Sequence, residues 1–136
     1  MSTKKESITA SFNKAKNRAR SVLQDQERVI KLLETSKEKI RNLELGENEL
    51  KGVLSYIKTF IRMLRAFKSG QYQDIPWVTI LMIASALIYF VTPLDLIPDF
   101  IPITGFVDDF SLIMAIFNRF RDDVVAFQAW ENSIKK

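Results

Sequence analysis

The residues best suited to chemistry lie in PLDLIPDFIPITGFVDD, residues 93–109, where Asp95, Asp99, Asp108 and Asp109 share a proline-broken stretch with Pro93, Pro98, Pro102 and Gly105. Four carboxylates gathered by one tight turn offer oxygen ligands to a hard divalent cation such as Ca²⁺ or Mg²⁺. The spacing is not that of an EF-hand loop, and no phosphate-cradling loop accompanies it. Paired carboxylates also serve glycoside hydrolysis, but a hairpin this small leaves little room for a sugar cleft.

A structural role uses the same residues differently. Pro93, Pro98 and Pro102 drive Thr92, Ile97 and Ile101 out of the helical region, which leaves backbone N–H groups in need of acceptors. Asp95 and Asp99 can accept from nearby amides, and Thr104 can cap a helix whose first turn contains Asp108 and Asp109. On this reading the segment fastens a reversing loop between two helices and needs no cofactor. The cation site is its rival.

Other chemistries are narrowed by composition. The 136 residues contain no histidine and no cysteine, which removes Ser-His and Cys-His nucleophiles, thiolate or imidazole metal ligands and redox chemistry. The length suits about one domain with its own core. Residues 1–72 hold 16 Lys and Arg against 8 Asp and Glu, whereas residues 73–136 hold 4 against 8. The basic half is therefore the part suited to phosphate, on lipid or on nucleic acid. The first thirty residues show no secretory signal, so any targeting is expected to be internal.

The elements that would position these residues are all helical. Ile8, Phe12, Ala15, Ala19, Val22, Val29, Leu33, Ile40 and Leu43 follow a 4,3 alternation, with Gln26 and Ser36 in the remaining places. That pattern predicts one long helix over 4–45, about 60 Å at 1.5 Å per residue, offering a seam to a helix of the same chain or to a partner. Residues 8–43 are then the candidate surface for self-association or a partner helix. Within it NKAKNRAR, residues 13–20, is basic but lacks interleaved aromatics and a groove-reading motif, which disfavours nucleic acid.

Gly46 ends this helix, and a second over 47–68 has two opposed stripes. Leu50, Val53, Leu54, Ile57, Phe60, Ile61, Leu64 and Phe67 form one, while Lys51, Ser55, Lys58, Arg62 and Arg65 form the other. An apolar face opposite a cationic one fits both a membrane interface and a bundle with a basic outer side. After SGQYQD, twenty uncharged residues run from Ile75 to Leu94. This is about the minimum for a 30 Å hydrocarbon layer, with Trp77 and Tyr89 suited to its aromatic belt; a buried central helix is the alternative. A shorter apolar run over 110–118 continues amphipathically through Phe117, Phe120, Val124 and Phe127 as a second arm.

The order Pro93, Asp95, Leu96, Ile97, Pro98, Asp99, Pro102, Gly105, Asp108 and Asp109 resembles the signature of the YkvA-like family. The resemblance covers residues 80–120 or so and implies a small membrane protein, often bacterial, with no activity to carry over. Residues before 70 lie outside the pattern.

The expected protein is all-α: a long basic helix (1–45), a basic amphipathic helix and linker (46–74), a membrane-inserted hairpin with a Pro/Asp turn (75–130) and a short tail (131–136). Its expected function is non-enzymatic interaction or scaffolding at a bacterial cytoplasmic membrane. Basic flanks at Lys58, Arg62, Arg65, Lys68, Arg119 and Arg121 would keep both ends cytoplasmic. The alternatives are a soluble helical adaptor or nucleic-acid binder, and a cation-dependent membrane enzyme using the aspartates.

The two readings of the turn predict different mutant behaviour. If Asp95 and Asp99 are backbone acceptors, Asn is tolerated and Ala costs about 1 kcal/mol per lost cap in chemical denaturation. A cation site instead predicts damage by both, with millimolar Ca²⁺ or Mg²⁺ raising the wild-type Tm alone.

Overall fold

Pro76 opens the most apolar helix of the chain: its carbonyl accepts from the Thr79 and Ile80 amides at 3.0 and 3.2 Å, and a proline in the first turn has no N–H to waste. The computed structural model describes residues 2–45, 51–91 and 104–134, and every element among them is a helix. These are α1 (Ser2–Val22), α2 (Gln26–Leu45), α3 (Lys51–Lys68), α4 (Trp77–Val91), α5 (Thr104–Arg119) and α6 (Arg121–Ile134).

Helix α4 is the axis of the bundle. Thr79, Ile80 and Leu81 are buried, and so is every residue from Ile83 to Phe90, so no side of the helix is left to solvent along that length. Helices α1, α2, α3 and α5 supply the cover. This corrects the expectation of a membrane-inserted hairpin. At 15 residues α4 is about 22 Å long, against a hydrocarbon layer of about 30 Å, and no helix among the described residues is long and apolar enough to cross a membrane. Helix α4 carries no charged residue because a helix enclosed on all sides needs no polar face.

The expected single helix over 4–45 is also corrected. Leu23 and Gln24 form a turn, and Asp25 Oδ1 accepts from the amides of Glu27 at 3.0 Å and Arg28 at 3.4 Å. An aspartate in this position satisfies donors that a new helix start exposes, so it stabilises a restart. The elbow is held from outside: Lys68 Nζ donates to the Leu23 carbonyl at 2.8 Å, and Gln26 Nε2 donates to the Lys68 carbonyl. Gln26, placed in the seam by its spacing, is exposed and serves this junction instead.

Seam residues Phe12, Ala15, Ala19, Val22, Val29, Leu33, Ser36 and Ile40 are all buried within the chain. Ala15 and Ala19 have no exposed surface, and such small side chains permit the close, extensive packing of α1 on α4. Phe12 meets Tyr89 edge-on, with 6.3 Å between ring centroids, which sets the middle of α1 against the last turns of α4. From the elbow α2 returns to the far end of α4, where Lys39 donates to the Phe90 carbonyl and lies 4.8 Å from the ring centroid. A cation there complements the negative end of the α4 dipole. A partner helix acting through residues 8–43 would have to displace these contacts.

Helices α5 and α6 behave as one bent helix. Phe120 is the corner, with its amide bonded to Ile116 at 3.1 Å and its carbonyl to the Val124 amide at 3.1 Å. Ile113 and Ile116 face the core, and Val124 and Phe127 continue the buried stripe past the corner. Thr79 Oγ1 donates to Asp123 Oδ2 at 2.5 Å, joining the start of α4 to the start of α6. Helix α5 therefore runs back alongside α4.

Two substitutions test this packing. Ala19→Leu adds volume where α1 meets α4 and is expected to cost 1–3 kcal/mol or so in urea denaturation. Ser36 Oγ is buried without a hydrogen-bond partner among the described residues, so Ser36→Ala should leave stability unchanged or raise it by up to roughly 1 kcal/mol; a clear loss would show that the hydroxyl is bonded.

Candidate functional site

Helix α3 is covered on most of its circumference. Leu54, Ile57, Phe60, Ile61 and Leu64 are buried, as its apolar stripe predicts, and so are Thr59, Met63 and Ala66 beside them. Thr59 is accommodated because its hydroxyl donates to the Ser55 carbonyl at 3.0 Å. What remains toward solvent is the row Ser55, Lys58, Arg62 and Arg65, spaced to fall on one line along the helix. The cationic stripe read from the sequence is thus the outer edge of the bundle.

Helix α2 packs beside α3 and adds Lys37 and Arg41, one turn apart. Between the two helices lies a groove of about 330 Å³ lined by Lys37, Ile40, Arg41, Lys58, Ile61, Arg62 and Arg65. Ile40 and Ile61 are buried and form an apolar base, while the other five lining residues are all cations. Arg62 is fixed: its Nε and Nη2 donate to the two carboxylate oxygens of Glu131 on α6 at 2.8 and 3.2 Å. This fork holds the guanidinium plane and occupies one of its edges, leaving the Nη1 donors outside the pair. Chemically, the groove is a place for an anion with an apolar neighbour.

The sequence pointed to Lys58, Arg62 and Arg65 but not to Lys37 or Arg41. On α2 alone these two are ordinary exposed charges opposite a seam. Only the placement of α2 against α3 adds them to the row.

The remaining predicted residues divide. Trp77 is 54% exposed, beside Val78 at 53%, at the start of α4. Tyr89 is corrected: it is 1% exposed and packs on Phe12, because its end of α4 is enclosed by α1 rather than held at an interface. Lys51 opens α3, and its side chain lies outside the described residues.

Asp95, Asp99, Pro93, Pro98 and Pro102 lie outside the described residues. Gly105, Asp108 and Asp109 are in α5, and their side chains are likewise outside the described set. The helix begins at Thr104 itself, so its first turn carries no acidic residue and the two aspartates fall in the second turn, which corrects their expected place beside the helix start. Among the described residues no group of three or more carboxylates is positioned to hold a metal ion.

A smaller aromatic cluster closes the end near Trp77. Tyr72 packs against Phe127 and Trp130 with ring centroids 5.3 and 5.0 Å away. Burial, together with the charges of Asp74 and Asp123, raises the Tyr72 pKa above its ordinary value, so the phenol stays neutral. It therefore contributes packing rather than charge.

A family model described as a protein of unknown function (DUF1232) matches residues 79–115, which run from α4 into α5. A curated relative, the "Uncharacterized membrane protein YkvA" of Bacillus subtilis (strain 168), is 34% identical over 86 residues, or 63% of this chain and 81% of the relative. No solved structure matches. With the signature residues in order and identity extending over most of the relative, the chain belongs to the YkvA-like family.

Proposed function

We propose that this protein is a non-enzymatic, membrane-associated helical bundle that lies on the cytoplasmic face of a bacterial membrane and serves there as an interaction or scaffolding module. The observation that carries the reading is the basic edge of α3, joined by Lys37 and Arg41 of α2. Cations clustered on one rigid surface are attracted to anionic lipid, at roughly 1 kcal/mol per residue near the surface. Trp77 and Val78, both more than half exposed, add side chains suited to the headgroup region. The relative's description as a membrane protein supports the same location.

Attachment at the surface, not passage through the bilayer, is the form proposed. The apolar length of α4 is used up inside the bundle, and both termini then lie on the same, cytoplasmic side. Lipid is the principal partner in this reading, and no cofactor is required.

Flotation with vesicles tests it. The full-length chain is expected to float with vesicles containing phosphatidylglycerol and to stay behind with pure phosphatidylcholine. Binding near 0.1 M salt, where the Debye length is about 10 Å, should be lost near 1 M, where it is about 3 Å. Absence of binding to anionic vesicles, or resistance of the bound protein to both salt and carbonate, would overturn surface attachment.

A further inference from the structure

The groove between α2 and α3 is more specific than a basic surface. Diffuse attraction to anionic lipid needs only charge, and exposed cations on any helix would serve. Here cations from two helices face one another across a concavity of about 330 Å³, a size within the range of ligand pockets, roughly 300–1,000 Å³. One of them, Arg62, is held in orientation by its fork to Glu131. Beneath them Ile40 and Ile61, at 4% and 2% exposure, offer apolar contact rather than an aromatic stacking surface.

The geometry points to a binding site in this groove for the phosphate headgroup of an anionic phospholipid, with Lys37, Arg41 and Arg65 engaging the phosphate and Ile40 and Ile61 receiving the adjoining glycerol and first methylenes. This inference rests on the membrane-surface reading above and deepens it. Guanidinium groups supply paired donors that match phosphate oxygens, which ammonium groups do not. An apolar base favours an amphiphile over free phosphate. Nucleic acid is the less fitting occupant, because no aromatic side chain lines the groove to stack on a base.

The test compares two triple variants of equal charge change in the full-length chain. Lys37→Gln, Arg41→Gln and Arg65→Gln remove cations from the groove; Lys14→Gln, Arg18→Gln and Arg20→Gln remove three exposed cations from α1. All six residues are exposed, so both variants should fold, which Tm and circular dichroism check. On phosphatidylglycerol vesicles the groove variant is expected to bind about tenfold more weakly than the α1 variant, because matched donors are lost in one and screened charge in the other. Equal weakening of the two would overturn the groove site and leave general surface attraction standing. Failure of the wild type to bind would overturn the surface reading and the groove together.

Two competitors fix the source of the phosphate. Soluble glycerol 3-phosphate at millimolar concentration should leave vesicle binding intact. Full displacement by it would overturn a bilayer-bound occupant in favour of a free phosphate ester. Binding of duplex DNA tighter than vesicles, and lost in the groove variant, would overturn lipid in favour of nucleic acid.

Discussion

The rest of the structure depends on the enclosure of α4. A helix with no charged residue between Trp77 and Val91 has no side to turn toward water, so it must be covered all round. Four helices meet that demand, and each is shaped by it. Helix α1 approaches closely through Ala15 and Ala19, whereas α3 and α5 bring larger side chains such as Phe60 and Ile113. The polar atoms carried into this environment are mostly bonded: Ser85 Oγ donates to the Leu81 carbonyl at 2.6 Å, and Thr79 reaches Asp123. Unbonded, each would carry the desolvation cost of a buried hydroxyl.

The same demand explains the elbow at Leu23–Asp25. One straight helix about 60 Å long would cover one side of a helix about 22 Å long and leave most of its own seam bare. Folding it in two lets both halves of the seam be buried, and Asp25 supplies the acceptor that the second half needs at its start. Lys68 and Gln26 bind the elbow to the end of α3. In this way the N-terminal half is tied to the bundle instead of projecting from it.

Burial of the apolar faces also decides where charge collects. Once α3 is packed on α2, α4, α5 and α6, the open row among its described residues is Ser55, Lys58, Arg62 and Arg65. Helix α2 turns its seam inward, and its cations at 37 and 41 come to rest opposite that row. Glu131 then joins α6 to Arg62, so the basic groove is braced by a third helix. The groove is a consequence of how the core is covered, and its chemistry is that of the surface left over.

Much of this was legible from residue order. Periodicity marked the helical class, the buried stripe of α3, the seam and its register, and the row of cations at Lys58, Arg62 and Arg65. The signature from Pro93 to Asp109 marked the family, although the aspartates that first suggested chemistry lie wholly or by their side chains outside the described residues. Periodicity reports which side of a helix avoids water, and that is a local property. It does not report what does the covering: twenty uncharged residues fit a bilayer or a ring of helices equally well, and a heptad-like seam fits a second chain or the remainder of its own. The enclosure of α4, the break at Asp25, the burial of Tyr89 and the meeting of Lys37 and Arg41 with α3 arise from contacts between residues far apart in sequence, and apolar burial has no direction that a linear pattern could encode.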